Sequence, residues 1–300
     1  MQQKMTIREA YLQASSFFNN ECSIVDATYC AELLLRHLLG WTRAEFFMRW
    51  HEPLAADLHT RWREMVARRG AGEPAQYIIG EQAFFGLNFY VDWRVLIPRP
   101  ETELLVEQVL ERVAALDIEA AGGGGAAVVD VGTGSGAIPI SLAVQRPRWR
   151  FTAVDLSVDA LEVARHNAEL HGVAERIRFV HGDGLRRLPQ DGGSWVTEPI
   201  DVLISNPPYI TTAEMIDLQR EVHDHEPHMA LCGGADGLQV YRQIVEQLKQ
   251  LPQLPKLIAF ETGQGQTEAV AALLRPLYRS DKMEIVHDLA GKDRMVFAVY

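Results

Sequence analysis

The run Val128-Val129-Asp130-Val131-Gly132-Thr133-Gly134-Ser135-Gly136-Ala137 constrains this chain more than any other ten residues. An apolar strand-like segment meets three glycines at alternate positions, and a helical pattern starts directly behind them. Such a turn needs glycine because the backbone must reverse sharply and admit a ligand with no Cβ in the way. Strand-like runs recur at Ala127–Val131, Phe151–Asp155, Ile177–Val180, Val202–Ser205, Leu257–Glu261, Met283–His287 and Met295–Tyr300. Helical patterns such as Val158 to His171 and Leu238 to Leu248 lie between them. This alternation predicts a doubly wound, mostly parallel α/β sheet of seven strands, covered on both faces. Only Asp288–Arg294 separates the last two strands, too little for a helical crossover, so the last strand is expected to run antiparallel.

The first part of the chain has a different period. Leu12, Phe17 and Phe18 fall on helical spacing, and a second helix is expected from near Asp26 through Leu33, Leu34, Leu38 and Leu39 to Gly40. Pro53 opens a third pattern that runs through Leu58, Trp62 and Met65 to Gly70. This stripe of Leu, Phe and Trp has no catalytic constellation and is assigned to a core. From Gln76 to Pro98 the pattern becomes extended, with a β-hairpin over Phe84 to Val91 turning around Gly86-Leu87-Asn88. Helical period resumes over Glu101 to Leu116, and Ala120 to Ala127, with its four glycines, reads as a flexible connection. The expected division is therefore a helical domain over 1–75, a hairpin linker over 76–100 and a catalytic domain over 101–300.

Composition narrows the class. The formal net charge of −11 disfavours a protein that holds nucleic acid mainly through phosphates. Arg146, Arg148, Arg150, Arg186 and Arg187 are read as a solvated rim. Cys22, Cys30 and Cys232 lack C-x-x-C spacing, which suits a reducing compartment without disulfides or a zinc knuckle. No apolar run approaches a membrane span, and the start of the chain lacks a signal-peptide block. The expectation is a cytoplasmic monomer with no membrane and no stable nucleic-acid partner.

The glycine turn alone is ambiguous, since Gly132, Gly134 and Ala137 also fit the dinucleotide fingerprint and Asp155 suits ribose hydroxyls in either case. Two details favour S-adenosylmethionine over a pyrophosphate. Gly136 adds a third glycine, and Asp130 places an acidic group where it attracts the cofactor's amino end. Gly132, Thr133, Gly134, Ser135 and Gly136, with Asp130, Asp155, Asp183, Gly184 and Asn206, form the candidate cofactor site. Asp183, in His181-Gly182-Asp183-Gly184, is assigned to the adenine amino group.

The second chemical segment is Asn206-Pro207-Pro208-Tyr209, directly after the fourth strand. An amide or aromatic amine nitrogen is a poor nucleophile because its lone pair is delocalised. The Asn206 side-chain oxygen can accept one N–H of such a group, and a main-chain carbonyl, that of Pro207, the other. Two accepted bonds hold the NH₂ and favour rehybridisation toward an electrophilic methyl. The prolines fix φ and remove backbone donors, and Tyr209 offers a flat face to a planar group. Near-attack positioning can supply on the order of 7–11 kcal/mol. Asn206, Pro207 and Tyr209 are the candidate catalytic residues, and Asn206 through Tyr209, Pro208 included, the substrate holders. With the glycine turn upstream, the architecture is that of a class I S-adenosylmethionine-dependent methyltransferase. The four residues do not themselves separate a glutamine amide from an adenine amine.

The chain resembles the release factor glutamine methyltransferase family, the HemK-type enzymes. The resemblance rests on Gln76-Tyr77-Ile78-Ile79-Gly80, Val95 through Glu103, the glycine turn and Asn206 through Ile210. It continues through Glu226-Pro227, Ala230-Leu231, Gly233-Gly234, Asp236-Gly237-Leu238, Glu261-Thr262-Gly263 and Gln266. It implies methylation of the side-chain N5 of the glutamine in the Gly-Gly-Gln loop of peptide chain release factors, in translation termination. It also implies release factors as partners, docked by the helical domain, and S-adenosylhomocysteine as the cofactor product. Two positions depart from the family pattern: Thr262 replaces an aliphatic residue, and Gly184 replaces a bulky one. A ribosomal-protein glutamine, the N6 amine of adenine in DNA or RNA, and a nicotinamide dehydrogenase are the competing readings; the dehydrogenase gives the Asn206 loop no role. His223-Asp224-His225-Glu226-Pro227-His228 resembles a metal cluster but is assigned a structural or surface role, so no metal is expected. Pro98-Arg99-Pro100-Glu101 is left between a helix entry and a part in shaping the substrate cleft.

Overall fold

A chain of strand–helix repeats buries its apolar residues only if the strands pair in one sheet and the helices cover both faces. The computed structural model describes residues 5–116, 118, 125–187 and 198–300. Most of the glycine-rich connection expected over Ala120 to Ala127 lies outside them. The chain divides into two compact units, residues 1–81 with 219–225, and residues 82–218 with 226–300.

The first unit is helical. Its helices are α1 (Ile7–Asn20), α2 (Ala27–Leu39), α3 (Arg43–Met48), α4 (His59–Gly70) and α5 (Ala75–Ile79). Thr6 caps α1 and Thr42 caps α3, each in a reciprocal box with the glutamate three residues on. Gly40 ends α2 at φ +68°, a backbone angle that suits glycine. Phe18, Leu34, Leu35, Leu38, Phe46, Trp62 and Met65 share one core. Two expectations need correction. Leu12 points outward at 44% exposure, and Pro53 opens no helix. It instead pairs with Thr6 in an isolated bridge, and the helical turn begins at Ala56. Residues 219–225, which include the short helical segment Arg220–His225, join this unit through the ion pair of Glu221 with the buried Arg69.

A hairpin follows α5 in the chain, with β1 (Glu81–Phe84) and β2 (Leu87–Tyr90). Its turn is Phe85-Gly86, ahead of the expected Gly86-Leu87-Asn88, of which Leu87 and Asn88 belong to β2. Phe85 itself adopts φ +49° and Gly86 +74°, the pair of positive angles that a two-residue turn between twisted strands requires.

In the second unit, α6 (Pro100–Ala115) precedes β3 (Ala127–Val131), α7 (Ala137–Gln145), β4 (Arg150–Asp155), α8 (Val158–Leu170) and β5 (Ile177–Asp183). After the two-residue β6 (Arg186–Arg187) come β7 (Val202–Ser205), α9 (Arg220–His225, in the first unit), α10 (Gln239–Leu248), β8 (Leu257–Glu261), α11 (Thr267–Leu274), β9 (Met283–His287) and β10 (Asp293–Val299). The strand order is β6-β5-β4-β3-β7-β8-β10-β9. Strands β5, β4, β3, β7 and β8 pair in parallel, and β10 runs antiparallel to both β8 and β9. The seven expected strands are all present, and β6 adds a short antiparallel eighth at the β5 edge. Alternate residues divide the core. Val128 packs with Leu105, Val109, Ile140 and Phe151 on one face, while Val129 and Val131 pack with Tyr241, Ile244, Leu248 and Val270 on the other.

One buried side chain ties the hairpin to this sheet. The Asn167 oxygen accepts the Tyr90 N–H at 2.7 Å, and its nitrogen donates to the Tyr90 and Ser135 carbonyls at 3.0 and 2.9 Å. Asn167 thereby satisfies backbone groups of β2 and of the glycine turn at once. Arg148 and Arg150 lie at the opposite, amino-terminal end of β4, exposed, and Arg186 is exposed beside Asp183. No helix among the described residues is long and apolar enough to cross a membrane.

Thr262, one of the two departures from the family pattern, is fully buried, and its hydroxyl has no hydrogen-bond partner among the described residues. A buried hydroxyl of this kind costs about 1–3 kcal/mol of desolvation. The isosteric Thr262→Val is therefore expected to stabilise the protein by about 1 kcal/mol. Thermal denaturation should show a rise of roughly 2–4 °C, and an unchanged or lowered midpoint would contradict it.

Candidate active site

Parallel strands deliver their last residues to one edge of the sheet, where a ligand finds turn backbone and helix starts. Here that edge is built from the ends of β3, β4, β5, β7 and β8. The β3–α7 turn is fixed by two bonds to one acceptor: the Gly132 and Thr133 N–H groups both donate to the Val154 carbonyl, at 2.8 and 3.0 Å. A Cβ at Gly136 would stand 2.7 Å from the Ile140 side chain, so this glycine serves helix packing. At Gly132 and Gly134 nothing lies within 4 Å of a Cβ position, and these two face open space. The turn thus has a packed side and a side left clear for a ligand. Ser135 and Thr133 are buried within it.

Asp155 is held from both ends. Its carboxylate accepts the Gly134 N–H at 2.8 Å and the Ser157 N–H at 2.9 Å, linking the glycine turn to the start of α8. Burial holds its pKa above the usual carboxylate range even against these donors. Asp130 lies deeper, at 1% exposure, and among the described residues neither of its oxygens has a partner in hydrogen-bond geometry. Burial pushes its pKa up to about 7 against the influence of the nearby Thr133 hydroxyl, with a smaller push from the Asp155 charge. A buried carboxylate of this kind next to the turn fits a cationic ligand group, and the Thr133 hydroxyl is likewise without a well-formed bond. An anionic pyrophosphate gains nothing from that arrangement.

Asp183 closes the far side. Gln243 donates to its carboxylate, and Gln247 donates to its carbonyl at 2.9 Å while accepting the Leu185 N–H at 2.6 Å. A Cβ at Gly184 would overlap the Gln247 amide, so the missing bulky residue is explained by this packing. Sequence reasoning missed these two glutamines of α10. Their spacing of four residues puts them on one helix face, but nothing local says that the face meets Asp183.

The loop after β7 is anchored at its root by the Ser205 hydroxyl, which donates to the Val131 carbonyl at 2.6 Å. Asn206 donates its side-chain nitrogen to the Thr102 hydroxyl at 3.1 Å. Thr102 lies in the first turn of α6 and donates in turn to Glu261 Oε2 at 2.7 Å. The Pro98-Arg99-Pro100-Glu101 segment is thus a helix entry, directly ahead of Thr102. Arg99 pairs with the buried Glu226 at 2.5 Å, and the Ile97 N–H donates to the same carboxylate at 3.3 Å. Among the described residues no group of three His, Cys, Asp or Glu side chains is arranged to hold a metal.

Farther along the loop, the Tyr209 carbonyl accepts the Gln266 side-chain N–H at 3.0 Å, and a Cβ at Gly233 would stand 2.6 Å from the Pro208 carbonyl. Among the described residues no donor is bonded to the Pro207 carbonyl. The Tyr209 ring is largely enclosed, and burial pushes its hydroxyl pKa up to about 12. The hydroxyl therefore stays protonated at neutral pH. The structure therefore gathers Asn206, Pro207, Pro208 and Tyr209 at the same sheet edge as the glycine turn and Asp155. Thr102 and Glu261 were missed as site residues. Both stand in blocks that carry the family resemblance, but neither has a local signal of chemistry.

The family profile described as the PrmC N-terminal domain matches residues 9–80, and the methyltransferase small domain matches residues 102–225. The release factor glutamine methyltransferase of Bacillus anthracis is 39% identical over 294 residues, covering 98% of this chain and 99% of that protein. The enzyme of the same description from Chlorobaculum tepidum is 41% identical over 283 residues, 94% of each chain. Among solved structures, the human METTL16 catalytic domain in complex with a MAT2A 3′UTR hairpin is 15% identical with a TM-score of 0.55 over 90% of each chain. The METTL16 N-terminal domain in complex with SAH is 17% identical with a TM-score of 0.50, covering 88% of this chain and 92% of that one. These two share the fold. At 38–41% identity over nearly their whole length with several curated relatives, the chain belongs to the release factor glutamine methyltransferase family.

Proposed function

We propose that this chain transfers a methyl group from S-adenosylmethionine to the side-chain N5 of the glutamine in the Gly-Gly-Gln loop of peptide chain release factors. The observation that carries the reading is the paired acceptor at the end of β7. With the Asn206 nitrogen bonded to Thr102, the Asn206 oxygen is left to accept one N–H of a substrate amide. The Pro207 carbonyl next to it takes the other. A primary amide offers two N–H donors from one nitrogen, and two acceptors hold that nitrogen while its lone pair turns out of conjugation.

The bound cofactor supplies a sulfonium methyl as electrophile and leaves as S-adenosylhomocysteine. Gly132 through Gly136 cradle it, Asp155 offers acceptors to ribose hydroxyls, and Asp130 complements the positive amino end. Asp183, preset by Gln243, accepts from the adenine amino group, with Gly184 beside it. Tyr209 gives the planar amide an enclosed flank that excludes water. The nitrogen is acidic only after it gains the methyl, so no base has to act before attack. All these residues come from one chain, so a monomer suffices. No membrane or stable nucleic acid is required, and the reaction is assigned to the cytoplasm, where release factors act.

The deciding experiment offers labelled S-adenosylmethionine with a purified release factor, its Gln→Ala loop variant, ribosomal protein and duplex DNA. Label is expected on the release factor alone and absent from the Gln→Ala variant. Label on DNA, with none on the intact release factor, would overturn the proposal.

Asn206→Ala removes one acceptor and leaves the glycine turn intact. Turnover is expected to fall by about 10²-fold or more, the scale of losing a charge-positioning hydrogen bond in a transition state. S-adenosylhomocysteine affinity by calorimetry should change little. If affinity collapses together with turnover, Asn206 is a cofactor ligand and not an amide holder.

Asp130 predicts a pH dependence of cofactor binding. Its pKa of about 7 without ligand falls when a cationic amino group approaches, so binding releases a proton. Affinity should therefore rise with pH through 7 and weaken by up to about tenfold per unit below it. Asp130→Asn should bind more weakly and lose that slope; an Asn variant with the same slope would refute the assignment.

A further inference from the structure

Asn206 is useful only if its oxygen, and not its nitrogen, faces the substrate, because an amide NH₂ presented to another NH₂ sets donor against donor. An asparagine side chain is nearly symmetric in shape, so its orientation is decided by its partners. Here its amide meets the Thr102 hydroxyl at 3.1 Å, and that hydroxyl lies 2.7 Å from Glu261 Oε2. A hydroxyl has one proton. An ionised Glu261 can only accept, so it takes that proton, and Thr102 is left to accept from the Asn206 nitrogen. The amide is then fixed with Oδ1 on the side away from Thr102. Were Glu261 neutral, it could donate to Thr102, and Thr102 would donate to Asn206, favouring the flipped amide.

We propose that Glu261, acting through Thr102, is a positioning residue that sets the orientation of the Asn206 amide and so makes the loop an acceptor of the substrate N–H. This rests on the amide-methylating reading above. Glu261 touches no substrate in this scheme; it acts on the reacting nitrogen only by way of Thr102 and Asn206. Stability alone does not account for a carboxylate at this position. Glu261 is 2% exposed and Thr102 5% exposed, and no arginine or lysine is ion-paired with Glu261 among the described residues. An ionised carboxylate held in such a place costs several kcal/mol of desolvation. A glutamine or an apolar residue would fill the space without that cost, but neither would impose a direction on the hydroxyl. The surroundings keep the group close to its titration point. Burial is the main cause that raises the Glu261 pKa and the Glu101 charge on α6 adds to it, while hydrogen bonding from Thr102 and Asn206 and the Arg294 charge on β10 oppose them, leaving it at about 7. Tyr209 and Tyr241 flank it; Tyr241 from α10 donates to its main-chain carbonyl at 2.6 Å.

The test uses the full chain, a release factor and saturating cofactor, with Thr102→Val, Thr102→Ser and Glu261→Gln. Valine keeps the volume and removes the relay, so kcat should fall about 10- to 100-fold. S-adenosylhomocysteine affinity and KM for the release factor should stay within about threefold, a split that a general loss of structure would not give. Serine restores the hydroxyl and should recover most of the rate. In the unmodified protein kcat should decline as pH falls through about 7, because protonated Glu261 no longer directs the hydroxyl. Glu261→Gln should lose that acid limb. The proposal is overturned by a valine variant at full rate, by serine and valine variants equally impaired, or by an acid limb that survives in Glu261→Gln. The last comparison decides the matter even if the valine variant does not fold. Absence of transfer by the unmodified protein would overturn the parent reading together with this one, whereas the other outcomes leave glutamine methylation standing.

Discussion

Carboxylates gathered on the dry carboxyl edge of a parallel sheet are the constraint from which the rest of the second unit follows. Asp130 on β3, Asp155 at the end of β4 and Glu261 at the end of β8 all have their pKa values raised by burial. Parallel strands end at one edge, so side chains that would be separate surface charges in another topology are brought together. Removing a carboxylate from water costs several kcal/mol unless something compensates. Asp155 is compensated by the Gly134 and Ser157 N–H groups, the second at the positive end of α8. Asp130 has no such well-formed bonds among the described residues. Glu261 receives the Thr102 hydroxyl at 2.7 Å but no ion-paired cation among the described residues. Perturbed carboxylates of this kind cluster at functional sites more often than elsewhere, which is why this sheet edge carries the proposed reaction.

Most of the sheet was legible because its strands are short apolar runs bounded by turn residues. Ala127–Val131, Val202–Ser205, Leu257–Glu261 and Met283–His287 occur with the expected limits. The antiparallel last strand followed from a connection too short for a helix. What escaped depended on energies that no local pattern displays. Phe85 takes a positive φ because the hairpin demands it, although an aromatic residue does not announce that angle. Pro53 satisfies a bridge to Thr6, and that long-range pairing overrode its suitability for a helix start. The Thr6–Glu9 and Thr42–Glu45 boxes, by contrast, were written in the sequence as T-x-x-E and would have placed two helix starts.

The candidate site divides in the same way. Glycine turn, Asp155 and the Asn206 loop were readable because each is a short run with its chemistry in its own letters. Thr102, Gln243 and Glu261 become meaningful only through contacts 60 to 159 residues apart in sequence. The family resemblance had already marked the blocks around Thr102 and Glu261, yet a matching block names no hydrogen bond. Only the folded chain joins Asn206, Thr102 and Glu261 through two consecutive hydrogen bonds.

The rigid part of the loop depends on much of the later chain for a related reason. Two prolines fix φ but not where the carbonyls point. Gly233 lies against the Pro208 carbonyl, and Gly237 against that of Tyr209, so closely that a Cβ at either position would collide. Gln266 bonds the Tyr209 carbonyl and also accepts the Gly263 N–H at 3.2 Å. Ile210 exchanges backbone bonds with Leu231 and Gly233 at 3.0 and 2.8 Å. Each of these contacts engages or crowds a polar group on the flank of the loop. Among the described residues, the Pro207 carbonyl and the Asn206 oxygen are left as acceptors with no bonded donor. The later chain thus fixes the directions of the loop carbonyls through Gly233, Gly237 and Gln266, and the Pro207 carbonyl and Asn206 oxygen are the pair of acceptors on which the proposed amide reading rests.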